Sequence, residues 1–83
     1  MSPTIFSKAG FRFFFYANER NEPPHVHVQH HDAVAKFWLN PVSLANNTGL
    51  SPAELSRAFA LVEQHQKTCM EKWHEFFSRK KDT

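Results

Sequence analysis

The sequence predicts an α+β domain in which an antiparallel sheet of three or four strands packs against one long C-terminal helix. Three observations lead there. Aromatic and β-branched runs broken by turn residues fill the first half of the chain, a capping box opens the second half, and one apolar stripe then recurs at three- and four-residue steps almost to the end.

The first strand is expected over residues 10–17, where Gly-Phe-Arg-Phe-Phe-Phe-Tyr-Ala is bounded by Gly10 and by the polar run Asn18 to Glu22 ahead of two prolines. Pro23 and Pro24 each lack an amide donor and bias the preceding residue toward extended geometry, so the pair feeds the chain straight into a second strand at 25–29. There His25-Val26-His27-Val28-Gln29 alternates with period two until His30-His31-Asp32 breaks the pattern in a tight turn. Residues 33–39, Ala-Val-Ala-Lys-Phe-Trp-Leu, form the third strand and stop at Asn40-Pro41; a short fourth is placed at 42–44, before the turn-like Asn46-Asn47-Thr48-Gly49.

Ser51-Pro52-Ala53-Glu54 then starts a helix. Serine stands at the N-cap, proline at the first helical position and glutamate at the third. Leu55, Ala58, Phe59, Val62, Cys69, Trp73, Phe76 and Phe77 continue it as one apolar stripe, so a single helix is expected over 52–78, followed by the basic tail Arg79-Lys80-Lys81.

At 83 residues the chain has room for a single domain, 1–83, with a thin core. Nine Phe, two Trp and one Tyr supply the bulk that such a core needs. No apolar run approaches the roughly 20 residues of a membrane span. The start of the chain lacks the pattern of a signal peptide and Cys69 is the one cysteine, so a reducing, cytoplasmic setting is expected. The formal charge is +2, with four basic against three acidic residues in 1–50 and six against five in 51–83. That balance argues against a duplex nucleic-acid binder, which shows a strong basic patch.

Strand alternation sorts the side chains into two faces. Phe11, Phe13, Phe15, Val26, Val28, Ala35, Phe37 and Leu39 form the apolar set that should meet the helix. The outer face then carries Arg12, Phe14, Tyr16, His25, His27, Gln29, Lys36 and Trp38. A solvated sheet face is usually plainly polar, whereas this one mixes rings, cations and imidazoles. Arg12, Tyr16, His25, His27, Lys36 and Trp38 are therefore the candidate binding surface, for a protein partner or for a second copy of the chain. Aromatics interleaved with bases also suit single-stranded RNA or DNA.

His25 and His27 share one face at adjacent positions, so their rings could ligate one divalent transition metal, as a binding site or the centre of a metal-dependent hydrolase, or act as an acid–base pair. A third ligand would come from His30, Glu19, Glu22 or His65. His-x-His alone is incomplete as a metal motif, and no other cofactor is expected. Catalysis by His27 with Lys36 and Arg12, in the manner of a small ribonuclease, is the enzymatic alternative, and the sequence points to a binding module ahead of it. His30, His31 and His74 read as surface residues and Cys69 as a core residue.

Several motifs in order resemble a family of small bacterial proteins known as a domain of unknown function with a Pro-Pro-His-x-His core: Pro3-Thr4-Ile5, Gly10 to Tyr16 with Asn18-Glu19, Pro23 to Val28, Ala35 to Leu39 with Pro41, and Val62-Glu63 through Trp73. His30 and His31 stand where that family has a more acidic turn. The resemblance implies no activity or catalytic residue. It implies a setting beside another small domain, in arrangements of toxin–antitoxin type, and hence a partner.

Overall fold

The computed structural model describes residues 4–16 and 21–78. Five strands form one antiparallel sheet in the order β1-β2-β3-β4-β5: β1 Thr4–Lys8, β2 Phe11–Phe14, β3 His25–His30, β4 Ala33–Leu39 and β5 Val42–Thr48. Two helices follow, α1 Pro52–Gln64 and α2 Gln66–Ser78. The α+β class and the antiparallel sheet hold. The count of three or four strands and the single helix over 52–78 do not.

The extra strand is β1, Thr-Ile-Phe-Ser-Lys, whose short mixed run carries little strand signal of its own. It forms because the turn after it is well made. Lys8 pairs with Phe11 across the two-residue loop Ala9-Gly10, and both loop residues have positive φ, 54° and 83°, as a type I′ hairpin turn requires. The strand expected at 10–17 is shorter than its aromatic run. It ends at Phe14, the last residue paired with β3, while Phe15 and Tyr16 leave the sheet and Ala17 lies outside the described residues.

The β3–β4 and β4–β5 connections are also two residues long, His31-Asp32 and Asn40-Pro41, the latter with a cis peptide bond. The strand placed at 42–44 runs on to Thr48, because a register shift opposite Lys36 and Phe37 absorbs one residue and pairing resumes at Asn46. Asparagine is a poor strand former, but an edge strand is held by its neighbour's ladder more than by propensity.

The capping box is as the sequence foretells. The Ser51 hydroxyl accepts from the Glu54 N–H at 3.2 Å, and the Glu54 carboxylate accepts from the Ser51 N–H at 2.9 Å. The helix then breaks at His65, where φ is −108° and ψ is 18°. The His65 N–H still reaches the Leu61 carbonyl at 3.0 Å and the Cys69 N–H reaches the His65 carbonyl at 2.9 Å, so the chain bends without unwinding into a loop. Two side chains anchor the bend: the His65 ring meets Phe6 edge-on with centroids 4.8 Å apart, and Gln66 bonds the end of β4. The tail at 79–83 lies outside the described residues.

Between sheet and helices lies an aromatic core. Phe11, Phe13, Phe15, Val26, Val28, Ala35, Phe37 and Leu39 from the sheet side meet Ala58, Val62, Cys69, Trp73 and Phe77 from the helices, with Leu50 closing one end. At about 1.5–3 kcal/mol for each large side chain buried, these contacts outweigh the exposed ion pairs, which contribute about 0–1 kcal/mol each. Phe15 continues the core after its strand has ended, its ring 5.3 Å from Trp73 and 6.1 Å from Phe77.

Candidate functional site

The outer sheet face holds the residues that alternation assigns to it, because the β2–β3 and β3–β4 registers align them in rows. Arg12 lies opposite Gln29, Phe14 opposite His27, His27 opposite Lys36 and His25 opposite Trp38. Their side chains pack on one another in sequence. Arg12 lies over the Phe14 ring at 4.3 Å, Phe14 stacks on His27 at 5.3 Å, His27 stands edge-on to His25 at 5.2 Å, and His25 to Trp38 at 5.7 Å. Lys36 Nζ closes the row 4.7 Å above the Trp38 ring.

The middle of this row is not open. His25 is fully enclosed and His27 and Phe14 nearly so, at 0%, 6% and 2% exposure, so the two histidines are buried rather than presented to solvent. Trp73 of α2 reaches the His25 ring at 4.8 Å, and Tyr16 packs on His27 at 4.5 Å and on Phe14 at 5.3 Å. The exposed part is Tyr16 itself, at 41%, while Arg12, Lys36 and Trp38 in the row are half-buried.

The cations are held in place. Arg12 Nε donates to Thr4 Oγ1 at 2.9 Å and its Nη1 to Gln29 Oε1 at 2.6 Å. Lys36 Nζ donates to the Glu22 carboxylate. A side chain fixed by its neighbours has already lost the rotamer freedom that binding would otherwise cost.

His25 Nδ1 lies 2.9 Å from the Pro23 carbonyl oxygen. That oxygen can only accept, so Nδ1 carries a proton and is not the nitrogen that would ligate a metal. Glu22 Oε1 lies 3.9 Å from the same nitrogen. Of the other third-ligand candidates, His65 packs against Phe6 and Phe13 on the core side, His30 stands at the far end of β3, and Glu19 lies outside the described residues. Among the described residues no group of three or more His, Cys, Asp or Glu is placed to hold a metal ion.

Two residues depart from their expected roles. His30 is half-buried rather than a surface residue: its Nδ1 lies 3.0 Å from the Gly10 carbonyl and its Nε2 3.5 Å from Glu54 Oε2. His65 has a buried Nε2 with no hydrogen-bond partner among the described residues. His31 and His74 are exposed, and Cys69 is buried with its thiol pushed up to about 11 by desolvation. No described helix is long and apolar enough to cross a membrane.

Searches of curated proteins and of solved structures return no match. A protein-family match does exist over residues 10–74, which takes in β2 to β5, α1, most of α2 and every residue of the outer-face row. The chain belongs to the family described as Domain of unknown function (DUF4160).

Proposed function

We propose that this protein is a binding module that engages a protein partner, a second copy of itself being the first to test, through the outer face of its sheet. The observation that carries the reading is the exposed Tyr16 ring, seated on buried His27 and Phe14, on the sheet face that also carries the half-buried Arg12, Lys36 and Trp38. Tyrosine, tryptophan and arginine are the residue types that dominate interface energetics, above all where their surroundings fix them. His25 and His27 act as the buried support of that patch. In the toxin–antitoxin setting that the family resemblance implies, the partner would be the product of the neighbouring gene, and this chain would act by binding rather than by catalysis.

Size-exclusion chromatography with light scattering tests this on the protein alone and mixed with that gene product. The expected result is a dimer or a complex that Tyr16→Ala and Trp38→Ala each weaken at least tenfold. Both variants also uncover buried rings, Tyr16→Ala those of His27 and Phe14 and Trp38→Ala that of His25, so each must keep a native circular-dichroism spectrum. A monomer at every concentration, with no complex formed, would sink the proposal. Salt-dependent binding of single-stranded RNA that Lys36→Ala abolishes would replace it with the nucleic-acid reading.

A further inference from the structure

His30 stands where three elements meet. It is the last residue of β3, its ring lies face to face with Phe11 at 4.7 Å and 23°, and its two nitrogens point at the β1–β2 turn and at the first turn of α1. Both groups that it faces are acceptors: the Gly10 carbonyl 3.0 Å from Nδ1, and the Glu54 carboxylate, whose Oε2 is 3.5 Å from Nε2. A carbonyl oxygen never donates, so the Gly10 contact requires a proton on Nδ1. A neutral ring then has only a lone pair at Nε2, aimed at an anion. The imidazolium ring donates to Gly10 and pairs its charge with the Glu54 carboxylate.

We propose that His30 and Glu54 form a proton-operated clasp that fastens the β1–β2 turn and the N-terminus of α1 to the end of β3, closed when both ring nitrogens of His30 carry protons. The two oxygens of Glu54 divide the work. Oε1 accepts from the Ser51 N–H in the capping box, which leaves Oε2 to His30. The Glu54 pKa is lowered first by that backbone bond and, against the opposing effect of burial, by the Ser51 hydroxyl, His30 and Arg57, so the carboxylate is ionised wherever an imidazole titrates. The groups that face the pair are Arg57 on α1, whose guanidinium lies 6.0 Å from the Phe11 ring, and His31 in the β3–β4 turn, 4.3 Å from His30. Arg57 shares the Glu54 carboxylate with His30, and His31 meets the His30 ring. Phe11 favours the charged ring, as an aromatic face attracts a cation.

A double-mutant cycle on the full chain tests the clasp, with wild type, His30→Gln, Glu54→Gln and the double variant unfolded in urea at pH 5.5 and pH 8. Glutamine at 54 keeps the capping box, and glutamine at 30 keeps a donor for Gly10. The expected coupling is about threefold in the folding equilibrium constant at pH 5.5 and none at pH 8. Equal coupling at both pH values, or none at pH 5.5, overturns the proposal. If a variant fails to fold, long-range ¹H–¹⁵N spectra of the wild-type rings decide. The Nδ1–H form of His30 at pH 8, gaining its second proton as pH falls, supports the clasp, and an Nε2–H form at pH 8 refutes it.

Discussion

The side-chain amide of Gln66 donates to the carbonyl oxygen of Leu39 at 2.9 Å, tying the first residue of α2 to the last residue of β4 across 27 positions of sequence. That carbonyl stands where β4 turns into Asn40-Pro41, at the end of a strand whose last residue is fully buried. Gln66→Ala removes the donor and leaves the oxygen short of a partner. The expected cost is about 1–2 kcal/mol, read as a lower urea midpoint at unchanged m value. Gln66→Glu should cost at least as much, since it sets a carboxylate against a carbonyl.

The same bond marks the limit of what the sequence makes legible. Ser51, Pro52 and Glu54 announce the start of the helix through local chemistry, and Ala58, Val62, Cys69, Trp73 and Phe77 keep their stripe through both halves. Nothing local announces the break, for no proline or glycine stands near His65. It arises from contacts with Phe6 and Leu39, distant in sequence. Strand β1 was hidden for a related reason: its evidence lies in the positive-φ turn at Ala9-Gly10, where alanine disguises a type I′ hairpin. The outer-face row followed from alternation alone. Its burial did not, since that depends on Tyr16 folding back and on Trp73 reaching round to His25.

Ala9 holds a conformation that alanine disfavours, with φ at 54°. A left-handed conformation costs an L-residue about 1–2 kcal/mol, and asparagine pays less because its side chain bonds locally. Ala9→Asn restores the Asn-Gly pair typical of this turn and should raise stability by about 0.5–1 kcal/mol, seen as a higher thermal midpoint. A lower midpoint would mean that the turn is not of type I′.

Gly49 presents the opposite case. Its φ is 101°, a conformation that L side chains rarely adopt, and a Cβ there would come within 3.1 Å of the Ala33 Cβ, a tight contact that asks Ala33 to give by a few tenths of an ångström. Just before it Asn47 bonds both main-chain groups of Leu50, at 3.1 Å each, and so sets the buried Leu50 in place. Gly49→Ala should cost about 1–3 kcal/mol and loosen Leu50, which hydrogen exchange of its amide would report.

Glu54 gives the fold an acid limit. Its folded pKa lies below the ordinary 4.5, with the Ser51 backbone bond as the largest cause. A depressed carboxylate contributes stability above its unfolded pKa and loses it as pH falls through the folded value. Wild type should therefore lose stability below about pH 4.5 faster than Glu54→Gln, whose amide does not titrate. Urea midpoints at pH 3, 4 and 6 compare the two. Parallel curves would show that the capping carboxylate is not shifted.

Cys69 sets the alkaline limit. Its side chain is fully buried, and desolvation raises the thiol from 9.0 to about 11. The unfolded chain releases that proton first, so the stability that the buried thiol contributes is complete below pH 9 and is lost as pH rises toward 11. Cys69→Ala has no proton to release. At neutral pH the variant should be less stable by about 1 kcal/mol through its smaller side chain, and the gap should close or reverse by pH 10.5. At pH 8 the native thiol should resist a disulfide exchange reagent that modifies the urea-unfolded chain within minutes, because the thiolate is the attacking form and burial withholds both the charge and the path to it. A native thiol that reacts as fast as the unfolded one would place Cys69 outside the core.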